Sequence, residues 1–305
     1  IFSFSEKFIY SQGVFEEEDG YARLARVLGH RDAKWHTCAN KLFYLATPPE
    51  SFEPIVTRLA RSGLAHPCSV VEGWTRVIVE KPFGNDYATA LRLEKLLASL
   101  FKEEQLYRID HYLGKETVQN ILTFRFTNSF LNSSWSRKSI ESIHIRLFEA
   151  GDIGYRGDFY ETVGALRDVG QNHLLQILAL FTMKTPCAFD AAEIRKNRAR
   201  VLQALQPFSH KQIKERTFRA QYKGYRKTDG VAPDSDTETY FRIEARLNMD
   251  SFKDVPIYLE SGKALYKDVV DITVKFRHAT PCLCPSDTQT HYNNLLQYRI
   301  QPEEQ

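Results

Sequence analysis

Between residues 41 and 110 the chain alternates short apolar runs with amphipathic stripes, and that alternation leaves few folds open. Leu42-Phe43-Tyr44-Leu45-Ala46 is a compact apolar run, led in by Asn40-Lys41, that reads as a buried strand. Thr47-Pro48-Pro49 ends it. Phe52, Ile55, Val56 and Leu59 mark one face of a helix that closes near Gly63. Thr75 to Val79 is a second strand, running into Glu80-Lys81-Pro82-Phe83-Gly84. Asp86 is a plausible N-cap for a helix with Leu93, Leu96, Leu97, Leu100 and Phe101 on one stripe, and Leu106 to Ile109 is a third strand. Strands alternating with helices form a parallel α/β layer. Upstream, Leu24, Val27 and Leu28 place a further helix over Tyr21 to Trp35.

After about residue 138 the period changes. Ile143, Ile145 and Leu147 alternate with Ser142, His144 and Arg146, and Phe241, Ile243, Ala245 and Leu247 alternate with Arg242, Glu244 and Arg246. Ile272, Val274 and Phe276, and then Leu296, Tyr298 and Ile300, do the same. Period-two strands with one wet face predict a mainly antiparallel sheet. Helical stretches lie near Val163 to Phe181 and Ala191 to Leu205, and Gly230 to Asp236 is a polar loop. The expectation is an α/β domain over 1–110 and a larger α+β domain over 111–305, with ligands bound in a cleft at the boundary, beyond the carboxyl ends of the parallel strands.

Composition narrows the class. A formal charge of +3 on 305 residues is too small to imply a nucleic-acid partner and suits an enzyme for an anionic substrate. No apolar run approaches the roughly 18 residues a membrane span needs, and no signal peptide is visible, although Ile1 is not a start residue. Cys38, Cys68, Cys187, Cys282 and Cys284 are odd in number and scattered, which predicts reduced thiols and a cytoplasmic location. Cys282-Leu-Cys284 near His278 lacks a second pair, so no metal site is expected. Asn132-Ser133-Ser134 is formally a glycosylation sequon.

Two stretches concentrate chemistry. Arg108-Ile109-Asp110-His111-Tyr112-Leu113-Gly114-Lys115-Glu116 packs acids, bases and a phenol ahead of a helical pattern made by Val118, Ile121, Leu122, Arg125 and Phe126. Gly114-Lys115 therefore falls at a strand-to-helix turn. A helix N-terminus flanked by His111, Tyr112 and Lys115 is a site for a phosphate dianion; the bland alternative is an exposed, charged strand end. The second stretch is Arg167-Asp168-Val169-Gly170-Gln171-Asn172-His173-Leu174-Leu175-Gln176. On an α-helix His173 shares a stripe with Leu166, Val169, Gly170 and Ile177, where a histidine is ordinarily packed core. Asp168 lies about 140° round such a helix and is poorly placed to orient it. If His173 is a general base, Asp110 is the natural carboxylate partner, holding one tautomer and stabilising the imidazolium.

These motifs resemble the signatures of the glucose-6-phosphate dehydrogenase family. RIDHYLGKE and RDVGQNHLLQ carry most of the resemblance. Asn40 to Pro49, Val79 to Gly84, Ser261-Gly262-Lys263-Ala264-Leu265 and Tyr298-Arg299-Ile300-Gln301-Pro302 extend it over almost the whole chain. The resemblance implies an incomplete Rossmann-like coenzyme domain followed by a substrate-binding and dimerisation domain. It implies oxidation of the C1 hydroxyl of glucose 6-phosphate to 6-phospho-D-glucono-1,5-lactone with NADP, the first step of the oxidative pentose phosphate pathway, by a homodimer or tetramer. His173 takes the C1 hydroxyl proton and Asp110 pairs with it. His111, Tyr112 and Lys115 hold the 6-phosphate. Lys81, Glu149, Asp168, Lys263 and Gln301 fall where the family contacts the sugar, and Lys81, Pro82 and Pro48 fall on the coenzyme side, with Pro82 resembling the family's cis-proline.

The chain also departs from the pattern. No glycine-rich phosphate turn matches the coenzyme fingerprint, since Gly151, Gly154 and Gly157 have the wrong spacing and follow a strand of the second domain. That predicts a partial chain. Asp268 stands where the family has a basic residue, with Lys267 beside it as a substitute. A non-catalytic sugar-phosphate-binding fragment and a remnant unable to fold alone remain the alternatives at this stage.

Overall fold

The computed structural model describes residues 7–68, 73–84, 86–278 and 294–301; Cys282 and Cys284 lie outside them. The chain divides into two compact units, Ile1–Asp110 and His111–Gln305, each with its own apolar core.

In the first unit the order is α1 (Glu18–Trp35), β1 (Lys41–Leu45), α2 (Phe52–Arg61), β2 (Thr75–Val79), α3 (Tyr87–Leu100) and β3 (Leu106–Arg108). The strands form a parallel sheet in the order β1-β2-β3. Period-two geometry sends Leu45, Val77, Val79 and Leu106 to one face, where Phe52, Val56 and Leu59 of α2 and Leu97 of α3 bury them. The Asp86 cap forms as expected. Its carboxylate accepts from the Thr89 amide at 2.8 Å, and the Thr89 hydroxyl accepts from the Asp86 amide at 3.1 Å.

Two expectations fail here. β1 is not buried on both faces: Leu42 and Tyr44 are each 55% exposed. They share their face with Arg76, Ile78 and Tyr107, and the core lies against the opposite one. An apolar run signals a doubly covered strand only when helices cover both faces. The thiols are not all reduced either. Cys38 and Cys68 are joined as a disulfide with Cα atoms 6.3 Å apart, because the turn after α1 folds back beside the connection that leads to β2. Cys187 is free and exposed.

The second unit runs α4 (Glu116–Thr127), α5 (Ser129–Ser134), β4 (Ile140–Phe148) and α6 (Gly157–Ala165), then a π-helical segment (Leu166–Leu174). It continues with α7 (Leu175–Thr182), α8 (Ala191–Gln203), α9 (His210–Arg216), β5 (Thr217–Ala220), β6 (Tyr240–Ala245), β7 (Ile257–Gly262), β8 (Val269–Phe276) and β9 (Leu295–Gln301). Six strands make one sheet in the order β5-β6-β7-β4-β8-β9. The sheet is mainly antiparallel, as the wet-face alternation predicts, but its central pair, β4 with β7, is parallel. One face carries Ile143, Ile145, Leu147, Phe241, Leu259, Ile272 and Ile300 into a core shared with Ile177, Leu178 and Phe181 of α7. A helix apolar on every side, as α7 is, has to be buried.

The other face carries charge in a pattern set by register. Arg242, Glu260, Arg146, Asp271 and Arg299 lie side by side across five strands with alternating sign. Opposite charges on neighbouring strands support the pairing. At the centre Arg146 donates Nε and Nη2 to Asp271 at 2.8 and 2.6 Å, and Gln297 adds a third bond at 2.7 Å. Asp271 has no solvent exposure, and its bond pushes the Arg146 guanidinium above its ordinary range. Breaking a buried, bidentate pair leaves an uncompensated group, whereas an exposed pair contributes little. Asp271→Asn is therefore expected to lower unfolding free energy by about 2–3 kcal/mol. Glu141→Gln, which breaks a Lys275 pair more than a third exposed on both sides, should cost less than ~1 kcal/mol. Urea titration of both variants checks this, and equal costs would show that burial does not set the strength of the row.

Candidate active site

In the first unit the candidate residues lie just beyond the carboxyl ends of the parallel strands. Pro48 follows β1, Lys81 and Pro82 follow β2, and Asp110 follows β3. The Lys81–Pro82 peptide is cis. The amide of Ile109 donates to Val79 O at 3.1 Å, which keeps the β2 and β3 exits side by side. Lys81 and Pro82 are half-buried and Pro48 is exposed. Carboxyl ends of parallel strands are where open α/β sheets bind ligands.

In the second unit a short 3-10 turn, His111–Gly114, delivers the chain to Lys115, the N-cap residue of α4. Three rings cluster there. Tyr112 stacks on His173 with centroids 4.3 Å apart and planes 26° from parallel. His111 meets the same imidazole edge-on at 4.6 Å. The Lys115 ammonium sits 4.1 Å above the Tyr112 ring and donates to Gln301 Oε1 at 2.9 Å. Burial pushes that ammonium below the ordinary lysine range. The α4 N-terminus adds positive potential from its first amides. A cation, an imidazole and a phenol at a helix N-terminus are groups that can donate to a dianion. Tyr298 fixes the arrangement by donating its hydroxyl to Thr117 O at 2.9 Å, which ties β9 to α4.

The second cluster forms at the same end of the sheet. Glu149 and Lys263 each lie one residue past the parallel pair Phe148–Gly262, and the Glu149 amide donates to Gly262 O at 3.0 Å. Lys263 is 4% exposed; its ammonium bonds Glu149 and lies 3.9 Å from Asp168. The turn that presents it needs Ala264 at φ 54, which places the Leu265 amide on Glu149 O at 3.0 Å. Asp268 accepts from the Ala150 amide at 2.8 Å, closing the same turn. Lys267 instead lies over the Tyr266 ring, 5.3 Å from its centroid. Tyr160, which the periodicity did not single out, lies beneath this group with its ring 5.9 Å from Lys263 Nζ. Burial and then the Asp168 charge push its hydroxyl far up, so it stays a donor. A tyrosine on an ordinary amphipathic stripe gives no signal of such a place.

The helix carrying Asp168 and His173 differs from expectation. Leu166–Leu174 is wound as a π-helix, whose bonds run i to i+5. The five-residue spacing then puts Asp168 and His173 about one turn apart along the helix, instead of on diverging faces. His173 is 3% exposed among Val169, Gly170 and Leu174. Gly170 allows the helix to sit on β6, because a Cβ there would come within 2.7 Å of Phe241. Two carboxylates, Glu149 and Asp168, near a buried cation and an imidazole stacked on a phenol can together bind hydroxyl donors and accept a proton.

Residues 1–120 match the family model "Glucose-6-phosphate dehydrogenase, NAD binding domain", and residues 122–305 match "Glucose-6-phosphate dehydrogenase, C-terminal domain". The glucose-6-phosphate 1-dehydrogenase of Chlamydia muridarum is 40% identical over 99% of this chain and 62% of its own length. Glucose-6-phosphate 1-dehydrogenase 2 of Mycobacterium tuberculosis is 39% identical over 98% of this chain and 60% of its own. A solved glucose-6-phosphate dehydrogenase in complex with its substrate glucose-6-phosphate superposes with a TM-score of 0.86 at 36% identity, over 97% of this chain and 60% of that one. The glucose-6-phosphate 1-dehydrogenase of Mycobacterium avium superposes with a TM-score of 0.86 at 35% identity, over 99% of this chain and 63% of that one. The chain thus spans about three-fifths of the length of these relatives, and over that span it belongs to the glucose-6-phosphate dehydrogenase family.

Proposed function

We propose that the protein oxidises glucose 6-phosphate at C1, with the lactone as product and NADP as hydride acceptor. The observation that carries this reading is the convergence of Lys115, Tyr112, His111 and Gln301 beside the buried imidazole of His173. The 6-phosphate is held by Lys115, His111 and Tyr112 at the α4 N-terminus. Glu149 and Asp168 accept hydrogen bonds from sugar hydroxyls, and Lys263 and Gln301 contribute donors. His173 takes the C1 hydroxyl proton on a ring nitrogen as the C1–H bond breaks and the C1–O bond becomes a carbonyl. Asp110, covalently followed by the His111 that packs on His173, serves as the carboxylate that stabilises the imidazolium.

The coenzyme supplies the hydride acceptor. Residues at the carboxyl ends of β1 and β2 fit its nicotinamide end, since Pro48 is exposed there and Lys81 presents a half-buried cation. By the resemblance, Lys81 serves both the sugar and the coenzyme. NADP is preferred over NAD in this reading by the resemblance alone. So is a cytoplasmic location, because the Cys38–Cys68 bond removes the cysteine argument for it. No described helix is long and apolar enough to cross a membrane. A homodimer or tetramer through the charged face of the six-stranded sheet completes the proposal, supported by a face that is polar, patterned and flanked by the exposed Phe218 and Tyr266.

Two outcomes test the site. His173→Asn keeps a polar ring-sized side chain but no base, so turnover should fall by about a thousandfold while glucose 6-phosphate still binds. Calorimetric titration of the sugar phosphate alongside steady-state kinetics separates the two effects, and near-normal kcat would remove His173 from the mechanism. The second outcome concerns pH. Only the ammonium form of Lys115 binds the dianion, and burial lowers its pKa. Substrate capture should therefore weaken as pH rises through that lowered value, earlier than for an exposed lysine. Lys115→Arg should move the alkaline limb of kcat/KM to higher pH, and an unmoved limb would assign it to another group.

A further inference from the structure

Asp168 and His173 ride on a helix that starts abruptly. Gly164, at φ 66 and ψ 175, breaks the helical backbone within α6, and a new helix opens at Ala165. The first amides of a helix have no partner inside it, and a glycine at the break has no side chain to cap them. The partner comes from far along the chain. The Ala165 amide donates to Glu238 O at 2.9 Å, and the Leu166 amide donates to Glu238 Oε1 at 2.9 Å, across 72 residues of sequence. The glycine is required for this: a Cβ at Gly164 would lie 2.6 Å from Glu238 Oε1 and 2.8 Å from its carboxyl carbon. The next residue grips the other cluster. Thr239, fully buried, accepts the Lys263 amide on its carbonyl at 3.0 Å.

We infer that Glu238 is a positioning residue, a carboxylate cap delivered from a remote loop that sets the rotation and register of the helix bearing Asp168 and His173. The inference rests on His173 being the base proposed above. π winding is rare and has to be held by its surroundings. Here the carboxylate fixes its first turn and Phe241, seated under Gly170, fixes its middle. A carboxylate suits the start because the helix N-terminus carries positive partial charge. Because Glu238 and Thr239 are consecutive, one rigid strand entrance holds both the imidazole's helix and the Lys263 turn. Loss of the carboxylate would therefore let Asp168 and His173 shift together relative to Lys263, which Thr239 still holds.

The test is Glu238→Ala and Glu238→Gln in the full-length protein, with steady-state kinetics on glucose 6-phosphate and amide hydrogen exchange at Ala165 to Gly170. The Ala variant should lose about ten- to a hundredfold in kcat, the scale of a misplacement near 1 Å. Its Leu166 amide should exchange faster. The Gln variant, whose amide oxygen still accepts from Leu166, should recover most of the rate and the protection. Unchanged kcat in the Ala variant overturns the inference, and so does a Gln variant as impaired as Ala. If the Ala variant does not fold, the Gln variant decides alone: retained rate and protection support the cap, and lost turnover sinks it. His173→Asn run in parallel separates the failures. If that variant still turns over, the base assignment is wrong, while Leu166 exchange continues to report on the cap.

Discussion

A lysine ammonium with 4% exposure has to be neutralised where it stands, and the second unit is arranged to do that for Lys263. Removing a charge of that size from water costs several kcal/mol, which attraction offsets only with close, well-oriented partners. Glu149 and Asp168 provide them, one from the end of β4 and one from the π segment. The parallel pairing of β4 with β7 is what makes this possible. It brings two strand exits together at one end, so that consecutive positions past Phe148 and Gly262 carry opposite charges. An antiparallel pair would have sent them to opposite ends of the sheet. The helix is drawn in by the same charge, and with it the imidazole.

The two faces of that sheet have separate tasks. One is apolar and packs α7, which gives a rigid platform. The other spreads five alternating charges across the strands and binds its centre with a fully buried aspartate. A face so polar needs no cover to be stable as a surface, and its charges alternate in sign from strand to strand. The three-stranded sheet of the first unit behaves differently. Its free face bears Leu42, Tyr44 and Tyr107, all exposed, beside Arg76 and the Glu80 carboxylate that accepts from Tyr44.

Local signals in the sequence recovered local structure. Thr75–Val79 is a strand at the bounds its β-branched run implies, and Asp86 caps the helix that follows it. The strand periods found β4, β6, β8 and β9, because each has one wet face and alternation survives burial of the other. Pairing was not legible. Period two says which face a residue takes but not which neighbour the strand chooses, so the parallel centre was invisible. The short β5, Thr217–Ala220, was missed because four residues of mixed polarity make no pattern. The Cys38–Cys68 bond was missed because spacing along the chain does not report proximity in the fold. The candidate site residues rest on motif resemblance; taken singly, Glu149 and Lys263 read as solvated strand ends.

The π segment shows why helical geometry could not be read from the stripe. An α-helical wheel puts His173 with Val169, Gly170 and Ile177 and turns Asp168 away, which is a self-consistent picture of a core histidine. Winding i to i+5 keeps His173 buried and also returns Asp168 to its side. The sequence does hold the cause, but not as periodicity. Gly164 and Gly170 are positions where a methyl group would meet Glu238 and Phe241 at under 3 Å. Both glycines serve contacts made by residues some seventy positions away, at the entrance to β6. What looks like a single motif is therefore two things: an imidazole and a carboxylate proposed to meet the ligand, and small residues beside them whose partners are remote. The chemistry is placed by the second set, so the stretch from Glu238 to Phe241 belongs to the site as much as the histidine does, although none of it has to touch a substrate.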